Sequence, residues 1–139
     1  MKLSISEVLK KASAIKEENA RIGWLRQNSS TTLQMVLRGA LDPKIKWLLP
    51  EGAPPYKEND LVDQESVLYS ESRRLYLFTE GGNPNLKQTR REYLFIQLLE
   101  SIDKEDAKLM IAVKDKKLPY KGITKKLVEE VFPGLIVNE

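Results

Sequence analysis

The sequence contains no cysteine and no histidine. Without cysteine there is no disulfide, iron–sulfur cluster, thiolate zinc site or thiol nucleophile. Without histidine the usual general base and the commonest metal ligand are gone. An enzyme built from this chain would have to work with Lys, carboxylates, Tyr or a bound Mg²⁺, which makes a non-enzymatic binding module the leading class. Long apolar runs are missing as well. The best candidates, 75–78 and 93–99, fall far short of the roughly 18–20 residues a membrane-spanning helix needs. Met1-Lys2-Leu3-Ser4 opens no apolar signal-peptide core. The expectation is a cytoplasmic protein with no membrane partner, no cofactor and no metal.

What is present fits one domain over 1–139: 139 residues, 41% hydrophobic and 31% charged, enough apolar content for a core. The formal net charge of +3 hides a strong segregation. Residues 1–47 carry nine basic and four acidic groups, whereas 48–72 carry only Lys57 against Glu51, Glu58, Asp60, Asp63, Glu65 and Glu71. Residues 104–126 then hold eight lysines against Glu105, Asp106 and Asp115. Two basic regions flanking an acidic connection can form a polyanion-binding face or can simply be solvated helix faces.

The hydrophobic spacing is helical. Ser4 or Ser6 caps a first helix, with Glu7 completing a capping box from Ser4, and Ile5, Val8, Leu9, Ala12 and Ile15 form its apolar stripe. Ala20, Trp24 and Leu25 mark a second helix; Leu33, Val36, Leu37 and Ala40 mark a third, capped within Ser29-Ser30-Thr31. Asp42-Pro43 is expected to start a further turn of helix with Ile45, Trp47 and Leu48 buried. The proline-rich acidic stretch 50–63 is a loop. Helical periodicity resumes over 64–80 through Val67, Leu68, Leu75 and Phe78. After the break at Gly81-Gly82-Asn83-Pro84-Asn85, the strongest helix carries Leu94, Phe95, Leu98, Leu99 and Ile102. Asp103 opens a helix with Ala107, Met110, Ile111 and Val113, and Thr124 opens a last one with Leu127, Val128 and Val131. No segment alternates long enough for a sheet. The expected class is all-α, six to eight short helices in an irregular bundle or solenoid.

Two turns carry candidate binding chemistry. In Lys117-Leu118-Pro119-Tyr120-Lys121-Gly122-Ile123-Thr124-Lys125-Lys126, a Gly-x-Thr turn opens a helix amid lysines. Free backbone N–H groups and ammonium groups there suit a phosphate, although the same residues serve equally as turn, cap and solubilising charge. In the second, Gly81, Gly82 and Asn83 precede Lys87, Arg90 and Arg91. Basic residues at a helix start oppose its dipole, so Arg90 and Arg91 call for an external partner. Asp103, Glu105 and Asp106 read as first-turn acids complementing a dipole rather than Mg²⁺ ligands, and Trp24 and Trp47 as core.

The stretch from Asp106-Ala107-Lys108-Leu109-Met110 through Lys121-Gly122-Ile123-Thr124 to Val131-Phe132-Pro133-Gly134-Leu135-Ile136 resembles the N-terminal DNA-binding domain of phage-type ATP-dependent DNA ligases. There, a Leu/Met-type helix leads into a Gly-x-Ser/Thr turn and a final helix closing on an aromatic-Pro-Gly-Leu-Ile tail. The order of the upstream parts is similar too. The ligase's Lys-x-Asp-Gly, whose lysine attacks ATP, has no counterpart: Lys57-Glu58-Asn59-Asp60 and Lys114-Asp115-Lys116-Lys117 both fail. The resemblance thus implies a stand-alone DNA-holding domain, phage-encoded and acting in an infected bacterial host, without ligase activity. It would contact duplex DNA across the minor groove through phosphate and sugar, with little sequence preference. By position, Gly81, Gly82, Asn83, Gly122, Ile123, Thr124, Lys125 and Lys126 would be its contact turns. Charge adds Lys87, Arg90, Arg91, Lys117 and Lys121. The alternative is a ligase-like scaffold that binds a host or phage replication or transcription protein, with the acidic segment 51–71 as the partner surface.

Overall fold

Ser4 opens the first helix as its spacing requires. Its Oγ accepts the Glu7 N–H at 3.1 Å while the Glu7 carboxylate accepts the Ser4 N–H at 3.1 Å, closing a capping box. The computed structural model describes residues 3–136. Among these, the chain forms seven α-helices, one 3₁₀ helix and no strand. They are α1 (Ile5–Ala14), α2 (Glu18–Gln27), α3 (Thr31–Leu41), α4 (Val67–Glu71), α5 (Gln88–Ser101), α6 (Lys104–Lys114) and α7 (Lys125–Val131), with the 3₁₀ helix Ser72–Phe78 following α4 directly. Ser30, Asp103 and Thr124 cap α3, α6 and α7 through their side chains. Glu17, less usual in that role, caps α2 by accepting the Asn19 and Ala20 N–H groups at 3.0 and 2.7 Å.

Helix α6 is the centre of the packing. It lies against α1, α3 and α5, while α2 joins α1 to α7. Leu9, Leu25, Leu33, Leu37, Leu99, Ile102 and Met110 are wholly enclosed, each worth about 1.5–3 kcal/mol of burial. Phe78 meets Phe95 edge to face at 5.3 Å between ring centres, a favoured aromatic geometry. This contact docks the 3₁₀ helix onto α5.

Two stretches depart from the helical expectation. Asp42-Pro43 starts no helix: the Asp42 carboxylate accepts the Lys44 N–H at 2.9 Å, and this side-chain turn replaces helical continuation. The chain then runs extended, so that Trp47 pairs with Thr79 in an isolated antiparallel bridge. Trp47 is half-buried, its indole N–H donating to the Gly39 carbonyl at 2.9 Å. The segment 64–80 is likewise not one α-helix. After α4 it tightens to three residues per turn, which puts Ser72, Leu75 and Phe78 on one buried line, as a 3₁₀ helix requires. The loop between α3 and α4 carries the acidic residues outward but is tied down at its base. The Gly52 carbonyl accepts Lys114 Nζ at 2.7 Å, and Glu100 accepts the Lys57 N–H at 2.9 Å. No helix among the described residues is long and apolar enough to cross a membrane.

Candidate nucleic-acid interface

The basic residues fall into two groups according to what their side chains reach. Members of the first group turn back onto the protein and bind backbone carbonyls, several of them at helix ends. Arg21 donates to the carbonyls of Ala12 at 2.9 Å, Ser13 at 3.4 Å, Ile15 at 2.6 Å and Gly122 at 3.3 Å. Arg26 donates to Glu130 and Val131 at 2.8 and 3.4 Å, closing the end of α7. Lys116 brings its ammonium to the carbonyls of Gly39, Asp42 and Ile45 at 2.7, 2.7 and 2.9 Å. Its backbone holds a left-handed φ of 62°, and the Lys116 and Lys117 N–H groups bond back to Val113 and Ala112, the Schellman close of α6. Desolvation lowers the Lys116 pKa, against the pull of Asp42. Cations at helix C-termini also complement the dipole.

Arg91 belongs to this inward group, which corrects its assignment as a DNA contact. It is buried, and its guanidinium donates to the carbonyls of Leu77 at 3.0 Å, Asn83 at 3.3 Å and Leu86 at 3.4 Å, and to Gln88 Oε1 at 2.6 Å. The external partner its position called for is therefore an internal one. Gly82 is packed for the same turn, since a Cβ there would strike the Tyr76 carbonyl. Asn83 is half-buried and its side chain accepts the Asn85 N–H at 3.3 Å. Gly81, Gly82, Lys87 and Arg90 remain exposed, with Arg90 lying 5.4 Å from the Tyr93 ring centre.

The second turn divides differently. Ile123 is core rather than contact, buried with its N–H given to the Tyr120 carbonyl at 3.2 Å. Gly122 has a φ of +85°, and a Cβ would meet the Arg21 guanidinium, so this glycine is fixed by packing and conformation together. Thr124 accepts the Leu127 N–H at 3.2 Å. Ser13 Oγ donates to the Lys121 carbonyl at 2.6 Å. The backbone of the turn is thus bonded to the end of α1. Lys117, Lys121 and Lys126 are exposed and Lys125 half-exposed. Among the described residues no hydrogen bond or ion pair engages these four ammonium groups. The two turns have different anchors, the first on Leu48 and the 3₁₀ helix, the second on α1 and α2.

Beside the lysine turn lies a cleft of about 840 Å³ between α1 and α6. Its charged lining is mixed: Lys10, Lys108 and Lys121 stand with Glu7, Glu65, Asp103 and Glu105, beside Ser13 and Tyr120, and Lys108 pairs with Glu105 at 3.7 Å. Burial, with Asp106 and Glu105 nearby, pushes the Tyr120 hydroxyl up to about 12, so it stays protonated. Below the cleft, Asp106 is fully buried and accepts the Ser6 N–H at 2.9 Å, while its Oδ2 finds no partner. Burial raises its pKa to about 6 against two Ser6 hydrogen bonds, with Asp103 and Glu7 adding to the rise. No group of acidic residues among those described is arranged to hold a metal ion.

Residues 8–120 match the model of a family of unknown function, DUF6433. The chain belongs to that family. No curated protein matches it. The DUF6433 match runs from α1 through Tyr120, so it includes the carbonyl-binding residues Arg21, Arg91 and Lys116 together with the acidic loop. Gly122, Thr124, Lys125, Lys126 and α7 lie beyond the matched stretch. Sequence reasoning missed Arg21, Arg26, Lys114 and Lys116 as internal groups. Their one signal was proximity to helix ends, which counts only once the neighbouring helix is known.

Proposed function

We propose that this chain binds duplex DNA without catalysis, through Lys117, Lys121, Lys125 and Lys126, with Lys87 and Arg90 as a secondary contact. The observation that carries the reading is the sorting of the cations. Arg21, Arg26, Arg91, Lys114 and Lys116 bond backbone carbonyls, whereas among the described residues no hydrogen bond or ion pair engages the four lysines of this turn. Four such cations within ten residues make a patch suited to phosphates. The resemblance to a ligase DNA-holding domain supports the same reading, and it implies a cytoplasmic setting in a phage-infected host.

Fluorescence anisotropy on a labelled duplex tests it. With about four phosphate contacts, log K should fall against log salt with a slope of roughly −3 to −4. Reversing the four lysines to glutamate should weaken binding at least about 100-fold at 50 mM salt, with melting unchanged. Absence of binding at tens of micromolar protein in 50 mM salt, or wild-type affinity in the reversed variant, overturns the proposal. The alternative, a helical scaffold for a replication or transcription protein, is favoured by one feature: the acidic loop carries exposed Leu61 and Val62. That scaffold would keep its partner after lysine reversal and lose it on removal of the loop's apolar pair.

A further inference from the structure

Two carboxyl groups among the described residues are fully buried, and they are provided for differently. Asp42 has both oxygens in use: Oδ1 accepts the Lys44 N–H at 2.9 Å and Oδ2 accepts the Arg38 Nε–H at 3.2 Å. Asp106 has only one. Its Oδ1 accepts the Ser6 N–H at 2.9 Å, one of the donors that the start of α1 leaves free, while Oδ2 has no partner. The charges that act on Asp106 are Asp103 at the same end of α6 and Glu7 on α1, both acidic. Two phenols also stand within reach of its charge, Tyr69 on α4 and Tyr120 in the loop after α6, and it raises the pKa of each. Tyr69 is already committed, its hydroxyl donating to the Leu3 carbonyl at 2.8 Å. Tyr120 is not. It lines the cleft between α1 and α6 together with Ser6 and Leu109, and no hydrogen bond among the described residues engages its hydroxyl.

A buried carboxylic acid tolerates an idle oxygen far better than a buried carboxylate does. Once ionised, Oδ2 needs a donor, and the acidic neighbours supply none. Tyr120 can, because burial together with Asp106 and Glu105 keeps its hydroxyl protonated. Tyr120 also opens the lysine turn. Its carbonyl accepts the Ile123 N–H at 3.2 Å, and the next carbonyl, that of Lys121, accepts Ser13 Oγ at 2.6 Å. A shift of Tyr120 is therefore felt by the turn. We propose that Asp106 and Tyr120 form a proton-operated latch. Loss of the Asp106 proton to solvent draws the Tyr120 hydroxyl, which keeps its own proton, onto Oδ2 and narrows the cleft beside the lysine turn; protonation releases it. The arrangement with Oδ2 unpartnered is the released form. The new bond exists only with the carboxylate, so it favours ionisation. The latch needs no ligand and stands independently of the DNA reading.

Carbon-detected NMR on the full chain tests it, following the Asp106 carboxyl carbon, the Tyr120 ring carbon that bears the hydroxyl, and the Ile123 amide between about pH 3.5 and 8.5. In the wild type all three should move with one midpoint. Tyr120→Phe removes a hydroxyl that bonds nothing in the released form, so the fold is kept, as circular dichroism will verify. In that variant Asp106 should titrate at least about 0.5 pH higher, roughly threefold in proton affinity. Asp106→Asn should abolish the step at Tyr120 and at Ile123. An Asp106 midpoint in Tyr120→Phe equal to or below that of the wild type overturns the proposal. So does a larger rise in Tyr69→Phe, which would make Tyr69 the donor, or an Ile123 amide that ignores the titration.

Discussion

The two glycine turns that carry basic residues look alike in sequence and behave oppositely in the fold. In the turn before α5, Arg91 is buried and braces the loop by holding three backbone carbonyls and a glutamine. In the turn before α7, the bracing is done from outside by Arg21 and Ser13, which leaves the turn's own lysines facing solvent. A cation's role follows from whether backbone carbonyls lie within reach of its side chain. Arginine suits the inward role because its planar fork meets several carbonyls at once and sheds water more readily than an ammonium.

The sharpest way to break this contrast is Arg91→Ala. It removes the donor to the carbonyls of Leu77 and Leu86, while Asn83 keeps the Leu86 N–H, at a cost of about 3 kcal/mol. Thermal melting should fall by about 10 °C. If Arg91 acts outward instead, melting will hold and only DNA affinity will drop. Asp106 tests the price of internal charge from the acidic side. Its folded pKa near 6 exceeds the ordinary 3.8, so the native state holds the proton more tightly. Stability should be greatest below about pH 4, fall as pH rises through 6, and level off above it, by up to about 3 kcal/mol. Asp106→Asn should flatten that profile in denaturant titrations at pH 4.5 and 7.5, and a wild-type profile without this slope contradicts the buried, unpaired carboxylate.

Gly122→Ala probes how the second turn is braced. It needs a positive φ and displaces the Arg21 guanidinium, so about 1–2 kcal/mol should be lost. Urea midpoints will register it. DNA affinity measured well below the melting point should change less than in the lysine variants. Lys121→Ala should have the smallest structural effect, within about 0.5 kcal/mol, yet weaken DNA binding several-fold and reduce the salt slope by about 1. A stability loss as large as that of Arg91→Ala would erase the distinction between the turns.

Much of the fold was legible in the residues. Ser4 with Glu7, Ser30, Asp103 and Thr124 announce helix starts through local hydrogen bonds, and apolar residues three and four apart give the buried faces. These signals are short-range, so the chain alone supplies them. The 64–80 segment was half legible: Ser72, Leu75 and Phe78 already show a spacing of three, but the α-helical positions of Val67 and Leu68 run into it. Asp42-Pro43 misled because its cap chemistry is real, yet the side-chain turn to Lys44 and the pairing of Trp47 with Thr79 carry the chain away from a helix. Among the candidate residues, the exposure of the lysine-rich turn was legible, whereas the burial of Arg91 and Ile123 was not. Charge and turn type are written in the sequence, whereas the carbonyl that a side chain meets is not.

The sequence by itself determined an all-α chain without cysteine or histidine chemistry, with its acidic loop and the positions of most helix starts. Each of these depends on composition or on residues within a turn of one another. Only the tertiary structure decided which cations are structural and which are available. Arg21 reaches Gly122, Arg26 reaches Glu130 and Lys116 reaches Gly39, contacts between residues some 77 to 104 positions apart. No local pattern encodes them, because a helix end offers its unpaired carbonyls to whichever neighbour the packing of α6 against α1 and α3, and of α2 against α7, brings alongside.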